Sequence, residues 1–414
     1  MVEEIKTPTI KEQELLLGEL GLKKYHAKIE KVLKKFIDMR EEYYSVVALW
    51  IIGTYLHKQF SSYPYLFFNA MKGSGKTRML NIIANLSKDG RNAGSMTEAV
   101  LFRTAYKRTL CLDEIEKIDK NEALNLILNS GYKKGLSVER MAKRKTPEGD
   151  IQEPELFNVY CPIAMANIKG IRDVLSDRCI SIILEKSAKK NITRLIENFD
   201  NDIEFKTIKG GLNRLTEKIS SDLNYFGDVI EKWNLFVFSS EKQDTYDTYD
   251  TYDIKDRYAP LFNKIDKTGI QERNLELFFP LFIIADICGK KILDNLINFS
   301  KEVVKEKRKQ DREENRDVQI YEFISQYPNR EFVFMSELTK DFREFVGAEV
   351  QDTWINSLWL GKRLRTLNLV LDDRRQRQRS VLLDIDRAEK QFKMWDEPKE
   401  ITAELDEVFK DGKK

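Results

Sequence analysis

The chain has 414 residues, 42% hydrophobic and 33% charged, with a formal net charge of +2. That length exceeds one typical domain, so two or three soluble units are expected. The near-neutral total excludes nucleic-acid binding through a global field and leaves only local patches for it. No apolar run reaches membrane-spanning length and the start does not resemble a leader peptide, which sets the expectation of a cytoplasmic protein with no membrane partner.

Residues 1–60 read as helices. "KEQELLLGELGLKKYHAKIEKVLKKF" carries apolar positions at helical spacing, and "YYSVVALWIIGTYLHKQF" reads as a more buried helix. Over 61–188, short apolar runs alternate with helical stretches, the pattern of a mostly parallel sheet with helices on its faces. Residues 189–316 are almost wholly helical in pattern, interrupted by the Asp- and Tyr-rich repeat "DTYDTYDTYD", Asp244 to Asp253, which reads as an exposed loop. "KEVVKEKRKQDREENR", Lys301 to Arg316, reads as a solvated helix or linker. Residues 317–396 form a small separate unit, and 397–414 a charged tail. Cys111, Cys161, Cys179 and Cys288 lie in separate apolar runs without Cys-x-x-Cys spacing, so they read as reduced core thiols.

The strand-like "PYLFFNAM" is followed by "KGSGKT" and then the helical "RMLNIIANL". In that context the N–H groups of Lys72, Gly73, Ser74, Gly75, Lys76, Thr77 and Arg78 form a cradle at a helix N-terminus that suits phosphate. Lys76 would reach the β- and γ-phosphates of ATP, and the Thr77 hydroxyl would ligate Mg2+. Ala70 stands where such loops usually carry a first glycine, a position that requires only a backbone outside the left-handed region. "RTLCLDEIEKID" ends a short apolar run in Asp113 and Glu114. Asp113 suits a contact to the metal, and Glu114 suits polarising the attacking water.

"LFNVYCPIAMANIKGI" is a strand ending in Asn167, which either senses the γ-phosphate and lytic water or simply makes a turn. Arg178 precedes the next apolar strand in "IRDVLSDRCISIILEKS". It suits either an arginine finger serving a neighbouring subunit or a salt bridge to Asp177 or Asp173, with Arg172 a weaker candidate for the first duty.

Motifs in this order resemble AAA+ ATPases, and more narrowly the primase-associated ATPase domains of phages, plasmids and integrated elements. The similar stretches include "KGSGKTRMLNIIANL", "TEAVLFRTAYKRTLCLDEIE", "VYCPIAMANIKGIRDVLSDRCISI" and "ERNLELFFPLFIIADICGK", and together they cover about residues 43 to 295. The resemblance implies an α/β AAA+ core with a parallel sheet and phosphate loop, an N-terminal helical segment and an all-α lid. It also implies that Arg273, which opens a helix before "IAD", reaches the γ-phosphate from the lid. Otherwise Arg273 is a capping or surface residue.

Between the acid pair and Asn167, "SVERMAKRKTPEGDIQEPELFNVY" alternates in two arms around residues 144–150 and reads as a hairpin. Its position resembles that of the pore hairpin of hexameric helicases related to the minichromosome maintenance proteins. Lys143, Arg144 and Lys145 would then face strand phosphates, or else form a solvated basic tip. Further on, "VQIYEFISQY", "MSELTKDFREFV" and "TWINSLWLGKRLRTL" read as three short helices, and "NLVLD" and "SVLLDI" as two strands flanking "DRRQRQR". Three helices and a ribbon make a winged-helix arrangement. It would place Lys362, Arg363, Arg365, Arg374, Arg375, Arg377 and Arg379 on a DNA-reading helix and wing, or on a protein-docking module.

Two classes of function fit these patterns. One is an ATP-driven motor on DNA, a ring of six copies acting as the replicative helicase of a mobile element, with a separate primase or loader. The other is an ATP-switched initiator, loader or regulator that binds DNA without processive unwinding.

Overall fold

The structure is a computed structural model that describes residues 21–92, 97–113, 122–146, 149–168, 170–171, 173–222, 225–241, 258–328, 330–349, 351–375 and 377–394. The chain divides into two compact units, Met1–Lys301 and Glu302–Lys414. Among the described residues no helix is long and apolar enough to cross a membrane. The repeat Asp244–Asp253, the charged tail, Arg172 and Glu114 lie outside the described residues.

Unit 1 begins with α1, Leu22–Phe36, which buries Leu22, His26, Ile29, Leu33 and Phe36 at three- and four-residue steps and carries Lys34 and Lys35 in its last turn. The next helix, α2, Glu41–Gly53, is buried from Tyr43 to Gly53. These helices belong to the same unit as the sheet, and three hydrogen bonds tie α2 and Tyr55, shortly after it, to Tyr63, Pro64 and Leu86. Trp50 Nε1 donates to Pro64 O (2.8 Å), Tyr63 Oη to Trp50 O (2.6 Å), and Tyr55 Oη to Leu86 O (2.7 Å). Gly53 is required here, because a Cβ at this position would lie 2.1 Å from Tyr63 Oη.

The sheet elements follow as β1 Tyr65–Ala70, α3 Lys76–Leu86, β2 Gly90–Asn92, α4 Glu98–Thr104, β3 Thr109–Leu112 and α5 Glu122–Ser130. A hairpin comes next, β4 Ser137–Thr146 and β5 Gly149–Asn158, then β6 Ile163–Asn167 and β7 Cys179–Leu184. The five-stranded sheet has the order β2-β3-β6-β1-β7. Each of its pairings is parallel, with Asn69 beside Asn167, Leu112 beside Met165, and Tyr65 beside Cys179. β1, β3 and β6 are buried almost throughout, as expected of parallel strands covered on both faces. Cys111, Cys161, Cys179 and Cys288 are buried and free, and burial pushes the Cys288 thiol up to about 12.

After β7 the unit is helical, with α6 Ile203–Asp222, α7 Tyr225–Glu241, α8 Ala259–Asp266 and α9 Glu272–Cys288, followed by α10 Lys290–Glu314, within which the unit boundary falls. Ser62 Oγ donates to Glu276 O (2.8 Å), and Lys133 pairs with Glu276 (2.9 Å), which fixes the start of α9 beside the start of β1.

Unit 2 contains α11 Arg316–Ser325, β8 Val333–Phe334, α12 Met335–Phe345, α13 Ser357–Thr366, β9 Val370–Arg375, β10 Arg379–Leu383 and α14 Ile385–Lys393. Its antiparallel sheet runs β8-β10-β9, and the core gathers Phe323, Leu338, Phe342, Ile355, Leu360, Leu364 and Val381. Two elements go beyond the sequence expectation. The two-residue β8 is too short to announce itself by alternation. The helix α14 buries only Ile385 and Ala388, although its Asp384 cap, which accepts from Arg387 N (3.0 Å), is a legible start signal.

Candidate active site

The sheet gathers the expected phosphate-site residues at the C-terminal ends of its strands. β1 ends at Ala70, which is buried and has no positive φ. The strand therefore leaves in an ordinary extended conformation, and a glycine there is dispensable. The turn that follows does need glycine. Gly73 has φ 81° and Gly75 φ 89°, the left-handed region that side chains disfavour. Ser74 is turned inward, donating from Oγ to Met71 O (2.8 Å), so its hydroxyl closes the loop. α3 starts at Lys76, and the first-turn N–H groups of a helix have no partner inside it, which makes this end an anion cradle.

Asp113 stands one residue beyond β3 and meets both key loop side chains. Thr77 Oγ1 donates to Asp113 Oδ2 (2.6 Å), and Lys76 Nζ lies 3.6 Å from Asp113 Oδ1. A hydroxyl and a carboxylate at this spacing are hard oxygen donors nearly as far apart as two adjacent ligands of an octahedral Mg2+, about 2.9 Å from the usual 2.0–2.1 Å bonds. The pair therefore fits Mg2+ with a shift of a few tenths of an ångström.

β6 lies between β1 and β3, so Asn167 stands between the loop and Asp113. Its Nδ2 donates to Gly170 O (2.8 Å) and its Oδ1 accepts from Ile168 N (2.7 Å). The asparagine thus holds its own turn at the place where the sensing duty was expected.

Two side chains go elsewhere. Arg78, expected beside the phosphates, donates from Nη1 to Ile192 O (3.0 Å), from Nη2 to Leu195 O (2.8 Å) and from Nε to Glu197 Oε1 (3.1 Å). Its guanidinium ties α3 to the segment after β7. Arg273, expected at the γ-phosphate, joins Arg178 at the opposite end of the strands from the loop. Arg178 precedes Cys179, which pairs with Tyr65 at the start of β1, so about 17 Å of strand separates it from its own loop. The Arg178 and Arg273 guanidiniums lie 5.1 and 4.9 Å from the centre of the same Tyr132 ring, and Arg273 Nε is 3.8 Å from Asp177 Oδ2. Two cations thus share one aromatic ring, with a carboxylate beside them.

Lys186 was not anticipated. A Cβ built on Gly73 would meet Lys186 Cε at 3.3 Å and Nζ at 4.0 Å, so this exposed lysine lies over the loop, and it makes no ion pair among the described residues. The available signal was its place two residues after the end of β7, the strand beside β1. On the reading proposed below, in which the loop holds ATP, Lys186→Ala should raise the KM for ATP about tenfold in a phosphate-release assay while leaving the melting temperature unchanged. An unaltered KM would remove Lys186 from the site.

The hairpin pairs Lys143 with Gln152, Arg144 with Ile151 and Lys145 with Asp150. These residues belong to a strand, because the connection is only 147–148, and their side chains lie outside the described set. At its base, Arg140 stacks on Phe102 (4.9 Å) and Phe102 packs on Phe157 (5.7 Å).

In unit 2 most of the expected basic residues are already paired. Arg363 makes a two-pronged contact with Asp317 (3.0 and 2.6 Å), while Arg365 (2.6 Å) and Arg379 (3.0 Å) converge on Asp373 Oδ2. Arg374 lies 3.6 Å from the centre of the Phe332 ring and 3.6 Å from Asp372. Lys362, Arg375 and Arg377 make no ion pair among the described residues. Leu358, one turn before Lys362 on α13, is 81% exposed.

No family model matches the chain, and no curated protein matches it significantly.

Proposed function

We propose that unit 1 is an Mg2+-dependent ATPase of the AAA+ kind, that unit 2 is a winged-helix module, and that the chain uses ATP hydrolysis to move a DNA strand. The observation that carries this reading is the contact of Asp113 with both Lys76 and Thr77, made across an intervening strand that ends in Asn167. Lys76 would neutralise the γ-phosphate, Thr77 and Asp113 would hold Mg2+, and Glu114, next in sequence to Asp113, would polarise the attacking water. Held by Thr77 and Asp113, Mg2+ would supply positive charge against the charge that develops on the phosphates. Arg178 and Arg273, too far from their own loop to serve it, would be offered to the phosphates of a neighbouring copy in a hexameric ring. The Lys143–Lys145 strand would follow the nucleic acid.

Ion pairing in unit 2 supports a second reading. With Arg363, Arg365, Arg374 and Arg379 tied to carboxylates, three of the seven expected basic groups remain for phosphates, which suits an ATP-switched initiator or loader that holds DNA weakly or docks a protein. One experiment separates the two. Purified chain, ATP and a forked duplex should give strand separation that Glu114→Gln abolishes. Hydrolysis without separation would favour the switch, and no hydrolysis would sink both.

A further inference from the structure

A cavity of about 710 Å3 lies beside the edge strand β2, away from the phosphate loop. The loop follows the C-terminal end of β1, whereas this cavity opens near the N-terminal ends of β2 and β3, where Gly90 pairs with Thr109. Its walls come from the last turn of α3, the whole of β2, the turn before β3, and α6.

Four cations line it: Arg91, Lys107, Arg108 and Lys209. None of them makes an ion pair among the described residues, although Asp89 and Asp200 lie in the same wall. Asp89 instead sits 3.9 Å from Lys88. Four positive charges against two carboxylates in one lining leave a local excess of positive charge that an anion would relieve. Among the described residues β2 pairs only with β3, at the edge of the sheet.

The negative end of α3 opposes an anion here, but its neighbouring carbonyls are occupied. Tyr55 Oη donates to Leu86 O (2.7 Å) and Thr109 Oγ1 to Lys88 O (2.9 Å). The close seating of strand on helix that shapes the wall depends on Gly90, where a Cβ would lie 2.1 Å from Ala84 O. The volume is within the range of small-ligand sites and suits a nucleotide-sized group.

We infer that this cavity is a second phosphate site, binding either a free polyphosphate or nucleotide, or one segment of a strand backbone. It does not depend on hydrolysis at the Lys76 loop. The test uses the full chain carrying Lys76→Ala, so that the loop contributes little, with inorganic tripolyphosphate and a labelled oligothymidylate as separate probes. Adding Arg91→Glu and Lys209→Glu should weaken at least one probe tenfold or more. For the oligonucleotide, losing two phosphate contacts should lower the slope of log affinity against log salt by about 1.4. Loss confined to tripolyphosphate assigns a free ligand, and loss confined to the oligonucleotide assigns the backbone. Arg91→Lys with Lys209→Arg should retain binding. Unchanged binding of both probes in the charge-reversed chain would overturn the site, as would equal loss in the charge-conserving one. If the reversed chain melts early, Arg91→Gln with Lys209→Gln takes its place under the same criteria.

Discussion

Lys76→Ala is expected to lower ATP turnover by about two to three powers of ten, the usual cost of losing a positioned charge at a reacting group. The fold should be almost indifferent to the change. Lys76 makes a 3.6 Å contact with Asp113, itself 31% exposed, and the shorter Thr77–Asp113 bond remains in the variant. The Lys76 side chain is 13% exposed, so the pair is worth on the order of 1 kcal/mol, the upper end for solvated pairs. Measuring phosphate release together with equilibrium nucleotide binding separates lost chemistry from lost affinity. Thr77→Ser keeps the hydroxyl and should keep most of the rate, whereas Thr77→Ala should resemble Lys76→Ala. Wild-type turnover in Lys76→Ala would show that any ATPase activity of the chain resides elsewhere.

The loop was legible in the sequence because its requirements are local. Gly73 and Gly75 meet a backbone need within a few residues, and the apolar run of β1 followed by the helical period of α3 fixes which end of the strand carries them. Asp113 was legible for the same reason, as the first polar residue after a buried strand. The positions of Arg78 and Arg273 were not. Arg78 finds its acceptors at Ile192, Leu195 and Glu197, more than a hundred residues away, and no short-range pattern specifies that meeting. Arg273 goes where α9 docks, and that is set by Ser62 and Lys133 holding Glu276.

Unit 2 makes the same point with charge. Counting arginines identifies a basic segment, but whether an arginine is available depends on the strand register. In β9 and β10 the antiparallel register sets Asp373 opposite Val381, two residues from Arg379. Arg365 and Arg379 both donate to that carboxylate, so the sequence-level basic patch is partly neutralised from within. The hydrophobic pattern, by contrast, was enough to place the three helices and the ribbon, because each buries a face that its own period defines.

Acid should unfold unit 1 before unit 2. The chain has only two histidines, His26 and His57, and both are buried in unit 1. Burial lowers each from the usual 6.5 to about 4. The His57 ring places Nδ1 2.8 Å from Thr54 O, while Nε2 is buried with no hydrogen-bond partner among the described residues, so a second proton would enter an apolar setting between Tyr63 and Tyr160. His26 faces Ser45 Oγ at 3.0 Å and Glu30 at 4.0 Å. An unfolded chain takes up these protons near pH 6.5 and the folded one only near 4, so stability falls as pH drops through that window. The cost is roughly 3 kcal/mol for each ring, a large part of the 5–15 kcal/mol that typically holds a domain together. Glu30, raised above the usual carboxylate range mainly by its burial, acts with the opposite sign but is only partly buried and offsets a fraction of this. In unit 2, hydrogen bonds from Arg379 and Arg365 hold Asp373 down to about 2, so its contribution is complete above pH 4 and is lost only as pH falls from there toward 2. Melting curves between pH 7 and 4 should therefore show one transition moving down while a second stays in place. Carbon-13 labelling of the two histidine rings gives the direct check, with both signals expected to titrate near 4 in the folded chain. Ring signals that titrate near 6.5 while the chain is folded would remove the cause assigned here.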